Sequence, residues 1–186
     1  MARLKEIYFD KTQEELKNIL GIKNKYALPM LEKVVINVGI GQAKTNPKYE
    51  NVVKETLMAI SGQKPATRRA KKAVSGFKIR KGDKVGQMVT LRGERMYDFV
   101  DRLANITLPR MRDFRGLDPK GFDKNGNFTL GISEQIVFPE ITHEKAEIIH
   151  GASITIVTTA RDIKQAKSLL KALGFPIKGE VILKKG

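Results

Sequence analysis

Apolar residues fall on two different periods along this chain, and the switches between them mark out its elements. Residues 34–41, VVINVGIG, alternate. Val34, Ile36, Val38 and Ile40 point one way, and Val35, Asn37, Gly39 and Gly41 the other, which predicts a strand with one buried side. Residues 86–93, GQMVTLRG, do the same, with Gln87, Val89 and Leu91 opposite Met88, Thr90 and Arg92. A turn at Asn125-Gly126 feeds a long strand through residue 138. Phe128, Leu130, Ile132, Ile136 and Phe138 line one side of it, Thr129, Gly131, Ser133 and Gln135 the other, with Glu134 a polar exception on the apolar side. ASITIVTTA at 152–160 is a further strand, and PATRR at 65–69 a short extended piece.

Helical spacing takes over elsewhere. Leu4, Ile7, Tyr8, Leu16, Ile19 and Leu20 form one stripe, stopped by Gly21. Asn46 caps a second helix with Pro47 in its first turn, Val53, Leu57 and Ile60 on its stripe and Gly62 at its end. A third repeats Met96, Phe99, Val100, Leu103 and Ile106 and ends at Pro109. A fourth is capped by Asp162, turns Ile163, Ala166, Leu169, Leu170 and Leu173 inward, and stops at Gly174. Residues 110–126, rich in Arg, Asp and Gly, read as a long loop. The pattern predicts one α+β domain over 1–186: a mostly antiparallel sheet covered by helices on one face, open and polar on the other.

The open face is unusual in its side chains. Asn37 and Gly39, Thr90 and Arg92, and Thr129, Gly131 and Ser133 are mostly small. A plain wet face carries longer charged side chains, whereas small ones let a rigid partner approach the backbone. With no aromatics there, it is not a base-stacking platform. Shape, sugar and phosphate contacts are what such a face offers.

Charge sharpens that picture. The net charge of +15 over 186 residues calls for an anionic partner, nucleic acid before an acidic membrane surface. The charge is also focused, because residues 63–95 hold eleven Lys or Arg against Asp83 and Glu94. Within TRRAKKAVSGFKIRKGD, residues 67–83, seven cations meet one carboxylate. Gly76 and Gly82 bracket FKIRK, predicting a protruding, mobile basic arm over 73–84 with Phe77 and Ile79 set among cations. A loop that only solubilises has little use for those two apolar residues.

Catalytic chemistry is thinly represented. The absence of cysteine removes disulfides, thiolate metal sites and thiol nucleophiles. His143 and His150 have no acidic cluster beside them. GIG at 39–41 lacks the third glycine of a dinucleotide fingerprint, and GFDKNG at 121–126 is followed by Asn127-Phe128 rather than Lys-Ser/Thr. As a calcium loop DKNG fails, since Ile132 stands where a bidentate Glu is needed. A nuclease would have to use Asp113, Asp118 and Asp123, each beside cations that suit a loop better. No cofactor and no metal are expected. The start MARLKEIYFDK lacks a signal peptide's apolar stretch, no run reaches the roughly 18 apolar residues of a membrane span, and no helix joins a basic face to large apolar anchors. A cytoplasmic protein without a membrane partner is the expectation.

Five segments together carry a family resemblance: RAKKAVSGFKIRKG, VTLRGERMYDF, LPRMRDFRGL, NFTLGISEQIVFPEI and ITIVTTA. In this order, over roughly residues 1–178, the chain resembles the fifth protein of the large ribosomal subunit, bacterial type. The resemblance implies a non-enzymatic structural protein that binds 5S ribosomal RNA in the central protuberance, beside the other large-subunit ribosomal RNA. The family's 5S-facing positions match Asn37, Gln63, Thr67, Thr90 and Arg92, and Ser133 joins them by alternation alone. The family's protruding loop matches Ala73 to Lys84, so that Ser75, Gly76, Phe77, Lys78, Ile79, Arg80, Lys81 and Gly82 are expected at the elbow of peptidyl-site transfer RNA. The segment with Arg110, Arg112, Asp113 and Arg115 is expected to face a small-subunit head protein and form an intersubunit bridge. The basic tail, 178–186, extends past the usual family ending.

Overall fold

The computed structural model describes residues 3–41, 46–112, 114–141 and 148–178. Asp113, His143 and the tail from 179 onward lie outside the described residues. The elements run α1 (Arg3–Ile7), α2 (Gln13–Leu20), β1 (Leu31–Gly39), α3 (Lys48–Ser61), β2 (Ala66–Arg69), β3 (Lys84–Leu91), α4 (Gly93–Arg102), α5 (Leu108–Arg110), β4 (Phe128–Ile132), β5 (Ala152–Thr158) and α6 (Ile163–Ala172). The strands form one antiparallel sheet in the order β2-β3-β1-β5-β4, and the fold is α+β as the alternation predicts. By its contacts the chain groups into two compact units, each discontinuous in sequence.

The first unit comprises 1–34, 91–130 and 155–186. Its core holds Leu4, Tyr8, Leu16, Phe99, Val100, Leu103, Leu108, Phe128, Leu169 and Leu170, all buried. Here α1 packs on α4 and α2 on α6. A π-helical turn, Tyr8–Thr12, joins α1 to α2, and another, Leu103–Thr107, joins α4 to α5. Each turn carries more residues than an α-turn and so rotates everything after it. That rotation corrects the expected stripes. Ile19, expected inside, is 60 % exposed, while Thr12 and Gln13 are buried, and Ile106 is exposed beside buried Leu103 and Thr107. Ile7, just before the first π-turn, and Ile163, the first residue of α6, are also exposed. The loop after α5 is tied down at Leu117, whose N–H donates to the Pro176 carbonyl and whose carbonyl accepts from Lys178 N–H. As expected, Asp162 caps α6 by accepting from Gln165 N–H at 2.7 Å.

The second unit comprises 35–90 and 131–154. Ile36, Val38 and Ile40 are buried with Val53, Leu57 and Ile60 of α3, and with Val89. Asn46 caps α3 as predicted, its side-chain oxygen accepting from Lys48 N–H at 3.1 Å. The long strand expected through residue 138 instead stops at Ile132, and residues 135–137 make a 3-10 turn. The break turns Gln135 inward rather than onto the open side. Its amide donates to the Ile148 carbonyl and accepts from His150 N–H.

Candidate nucleic-acid interface

The hairpin of β2 and β3 organises the candidate surface. Ala66 pairs with Met88, Thr67 with Gln87 and Arg68 with Gly86. Paired residues project to the same side of a sheet, so this register sorts the candidates. Gln87 is fully buried. Thr67 shares its side, within hydrogen-bond distance of the Gln87 amide group at 3.1 and 3.2 Å. Glu50 of α3 continues the network, binding Lys54 and Lys84 at 2.7 and 3.0 Å. Hydrogen bonds from Lys54 and then Lys84 hold its carboxyl below the ordinary glutamate range. The Thr67 hydroxyl therefore sits on the helix-covered side of an edge strand, away from Asn37.

The opposite side of the same strands is the open one. A β-carbon on Gly86 would lie 3.3 Å from the Val38 carbonyl oxygen, 3.4 Å from Asn37 Oδ1 and 4.0 Å from Arg68 Cβ, so these groups share a face. Asn37 and Gly39 are exposed and Thr90 is half-buried. At Gly39, Gly41 and Gly131 an added β-carbon would meet nothing within 4 Å. The face is therefore open down to the main chain, with a carboxamide, a hydroxyl and a guanidinium on it. The Arg68 side chain forms no hydrogen bond or ion pair with the described residues. The sequence alone places Arg68 in the general basic run; its position on this face becomes visible only through its register with Gly86.

The remaining candidates sit apart. Gln63 follows α3, where its backbone N–H and carbonyl both engage the Ser61 hydroxyl, leaving the side chain unbonded among the described residues. Ser133 is exposed just past β4. Arg92, in the first unit, is exposed at the N-cap of α4 and makes no pair with the described residues. Arg110, Arg112 and Arg115 are likewise exposed and unpaired among them.

The basic arm is more ordered than its glycines suggest. Val74 and Ile79 exchange both backbone hydrogen bonds at 2.9 and 3.0 Å around a 3-10 turn, Ser75–Phe77. Lys78 closes that turn with a left-handed backbone, φ 52°. At the neck, Ala70 N–H donates to the Asp83 carbonyl and Gly82 N–H to the Ala70 carbonyl. Asp83 also accepts from Arg80 N–H, and Arg69 donates to the Gly82 carbonyl. Phe77 is 76 % exposed at the tip. Lys71, Lys72 and Lys81 have no partner among the described residues, so their charges face outward.

Of the acidic residues a nuclease would need, Asp118 and Asp123 are engaged in loop structure. Asp118 accepts from Lys120 N–H, and Asp123 from the N–H groups of Asn125 and Asn127 and the Asn127 side chain. The Asn127 side chain chiefly lowers the Asp123 carboxyl below its ordinary range; burial opposes it, and the backbone donors of Asn127 and Asn125 add to the lowering. No helix among the described residues is long and apolar enough to cross a membrane.

Fold and surface together define a basic α+β protein with a cation-bearing hairpin and a sheet face that carries Asn37, Thr90 and Arg68 beside bare glycine backbone. Residues 24–80 match the model of the family described as ribosomal protein L5, and residues 84–177 match the separate model that describes the C-terminus of that ribosomal family. The chain belongs to the ribosomal protein L5 family. It is 51 % identical over 177 residues to large ribosomal subunit protein uL5 of Anaeromyxobacter sp. (strain K), covering 95 % of this chain and 98 % of that one. It is 52 % identical over 176 residues to the uL5 protein of Caldanaerobacter subterraneus subsp. tengcongensis, covering 95 % and 98 %. With Desulforamulus reducens uL5 the identity is 51 % over 176 residues, covering 95 % and 97 %. The protein is a structural constituent of the large ribosomal subunit in the cytoplasm, not an enzyme.

Proposed function

We propose that the open face around Asn37, Gly86, Arg68 and Thr90 is the surface by which this protein binds 5S ribosomal RNA in the central protuberance. The observation that carries the reading is the bare backbone at Gly39, next to exposed Asn37. An added β-carbon at Gly39 would meet nothing within 4 Å, and exposed, unpaired Arg68 shares the face of Asn37, so a ribose-phosphate backbone has room to reach the strand. Gln63, Arg92 and Ser133 are further polar contacts to the RNA, and Thr67 contributes from the edge strand. The arm from Ser75 to Gly82 meets the elbow of peptidyl-site transfer RNA, a role that its exposed Phe77 and outward cations suit. Arg110, Arg112 and Arg115, with Asp113, face the small-subunit head as an intersubunit bridge.

The test is a salt titration of the purified full chain against 5S ribosomal RNA. Each phosphate contacted adds about 0.7 to 0.9 to the slope of log affinity against log salt, so affinity falls steeply. Replacing Asn37 and Thr90 by Ala weakens binding while the melting temperature stays near that of the parent. Salt-insensitive binding, or equal preference for any duplex, overturns the reading.

A further inference from the structure

The first unit carries a feature that none of these roles uses. Tyr26 is 96 % exposed, the most exposed large apolar side chain among the described residues. A tyrosine ring left in water contributes nothing to folding, and a single one of this size is a natural contact for a flat partner. Its mount is firm. Asn24 Oδ1 accepts from Tyr26 N–H at 3.0 Å, and the Asn24 carbonyl accepts from Ala27 N–H at 3.1 Å, fixing a 3-10 turn, Lys25–Ala27. On one side Gly21 N–H closes α2 on the Lys17 carbonyl at 2.9 Å. On the other, Leu28 is buried and the buried Tyr8 hydroxyl donates to the Pro29 carbonyl at 2.8 Å. Met30 is then tied to Thr159, N–H to hydroxyl at 3.0 Å and carbonyl to N–H at 2.9 Å. The ring is displayed by a turn anchored at both ends, so ordering it on binding costs little entropy.

The charge next to it in the chain has one sign. Residues 16–31 include Lys17, Lys23 and Lys25 and no acidic residue. Lys23 lies just before the turn and Lys25 opens it; both are exposed and pair with nothing among the described residues. An exposed aromatic ring with two unpaired lysines just before it in the chain fits an unpaired base and its neighbouring phosphate. An apolar protein partner would not call for the two cations, and a duplex has no free base to offer.

We propose that Tyr26, with Lys23 and Lys25, forms a second RNA contact that stacks one unpaired nucleotide of ribosomal RNA, separate from the sheet face. It rests on the protein's place in the ribosome but not on the assignment of the sheet face to 5S RNA. The chain contains no tryptophan, so Tyr26→Trp installs a unique fluorophore at the platform. An oligouridylate of about 12 nucleotides quenches that emission if a base stacks there. Tyr26→Ala weakens oligouridylate binding roughly tenfold, Tyr26→Phe restores it, and the Lys23→Ala, Lys25→Ala double variant flattens its salt dependence. Asn37→Ala with Thr90→Ala leaves the quenching in place, so a failed 5S assignment does not mask this one. Unquenched emission, or oligouridylate binding indifferent to Tyr26→Ala, assigns the ring to another kind of partner and overturns the proposal.

Discussion

The side-chain oxygen of Asn37 lies 3.4 Å from where a β-carbon on Gly86 would stand. A methyl group there is barely accommodated, because the Val38 carbonyl oxygen is 3.3 Å away and belongs to a ladder strand that cannot retreat. Gly86 is already buried beneath these groups, so a branched side chain has to push Asn37 and Arg68 from the positions in which they are proposed to meet RNA. Gly86→Val is therefore expected to lower affinity for 5S ribosomal RNA at least about tenfold, or 1.4 kcal/mol. Gly86→Ala is expected to fall between it and the parent. Filter binding at fixed salt measures both, and circular dichroism checks that the fold persists.

Neutralising Lys78, Arg80 and Lys81 to Gln separates the arm from the face. All three lie beyond the neck formed by Ala70, Gly82 and Asp83. The triple variant is expected to bind 5S RNA within about twofold of the parent at moderate salt, because only remote cations are lost. Its large subunits are expected to hold peptidyl-site transfer RNA less tightly in a filter assay. Loss of 5S binding would show that the arm and the face are not divided in this way.

His150 makes stability depend on pH. Its ring is buried edge-on to Tyr49, centroids 6.2 Å apart, and Nε2 has no partner among the described residues. Burial lowers its pKa, against a smaller opposing effect of the Gly151 carbonyl. The folded state thus resists a proton that the unfolded chain accepts near pH 6.5. Stability is fully present above that value and declines as the pH falls toward the folded pKa, by at most about 1.4 kcal/mol per pH unit. Urea titrations at pH 7.5, 6.5 and 5.5 should show the decline, and His150→Phe should flatten it; these pH values are about one unit apart to bracket the transition.

Gly126 is held by both conformation and space. Its φ is 78°, and a β-carbon would come within 2.9 Å of Ala160 Cβ. Its carbonyl accepts from the Thr158 hydroxyl at 2.8 Å, which fixes the turn against β5. Gly126→Ala combines left-handed strain with overpacking and is expected to cost about 2 kcal/mol or more. A drop in the urea midpoint without a change in slope would register it.

The alternation of Val34, Ile36, Val38 and Ile40 against Asn37 and Gly39 was legible because a strand's period is fixed and one side is sealed. The caps at Asn46 and Asp162 were legible because short polar side chains bond nearby N–H groups. Ile19 and Ile106 were misplaced because a π-turn changes helical phase without a residue signature that pattern reading detects. Gln135 was misplaced for another reason: its bonds to Ile148 and His150 are made across the fold, and they decide where the strand ends. The site shows the same division. Asn37 and Thr90 could be assigned from a single strand, but separating Thr67 from Arg68 needed the partner strand's register, which one sequence does not reveal.

The neck of the basic hairpin sets where the arm ends and the sheet begins. Ala70 is clasped from both sides, to Asp83 and to Gly82, and the pairing of β2 with β3 starts just below it. Between that clasp and the rung of Arg68 and Gly86 the register shifts, at Arg68/Arg69. A local irregularity at this junction lets the apex be re-aimed without unzipping the rungs beneath.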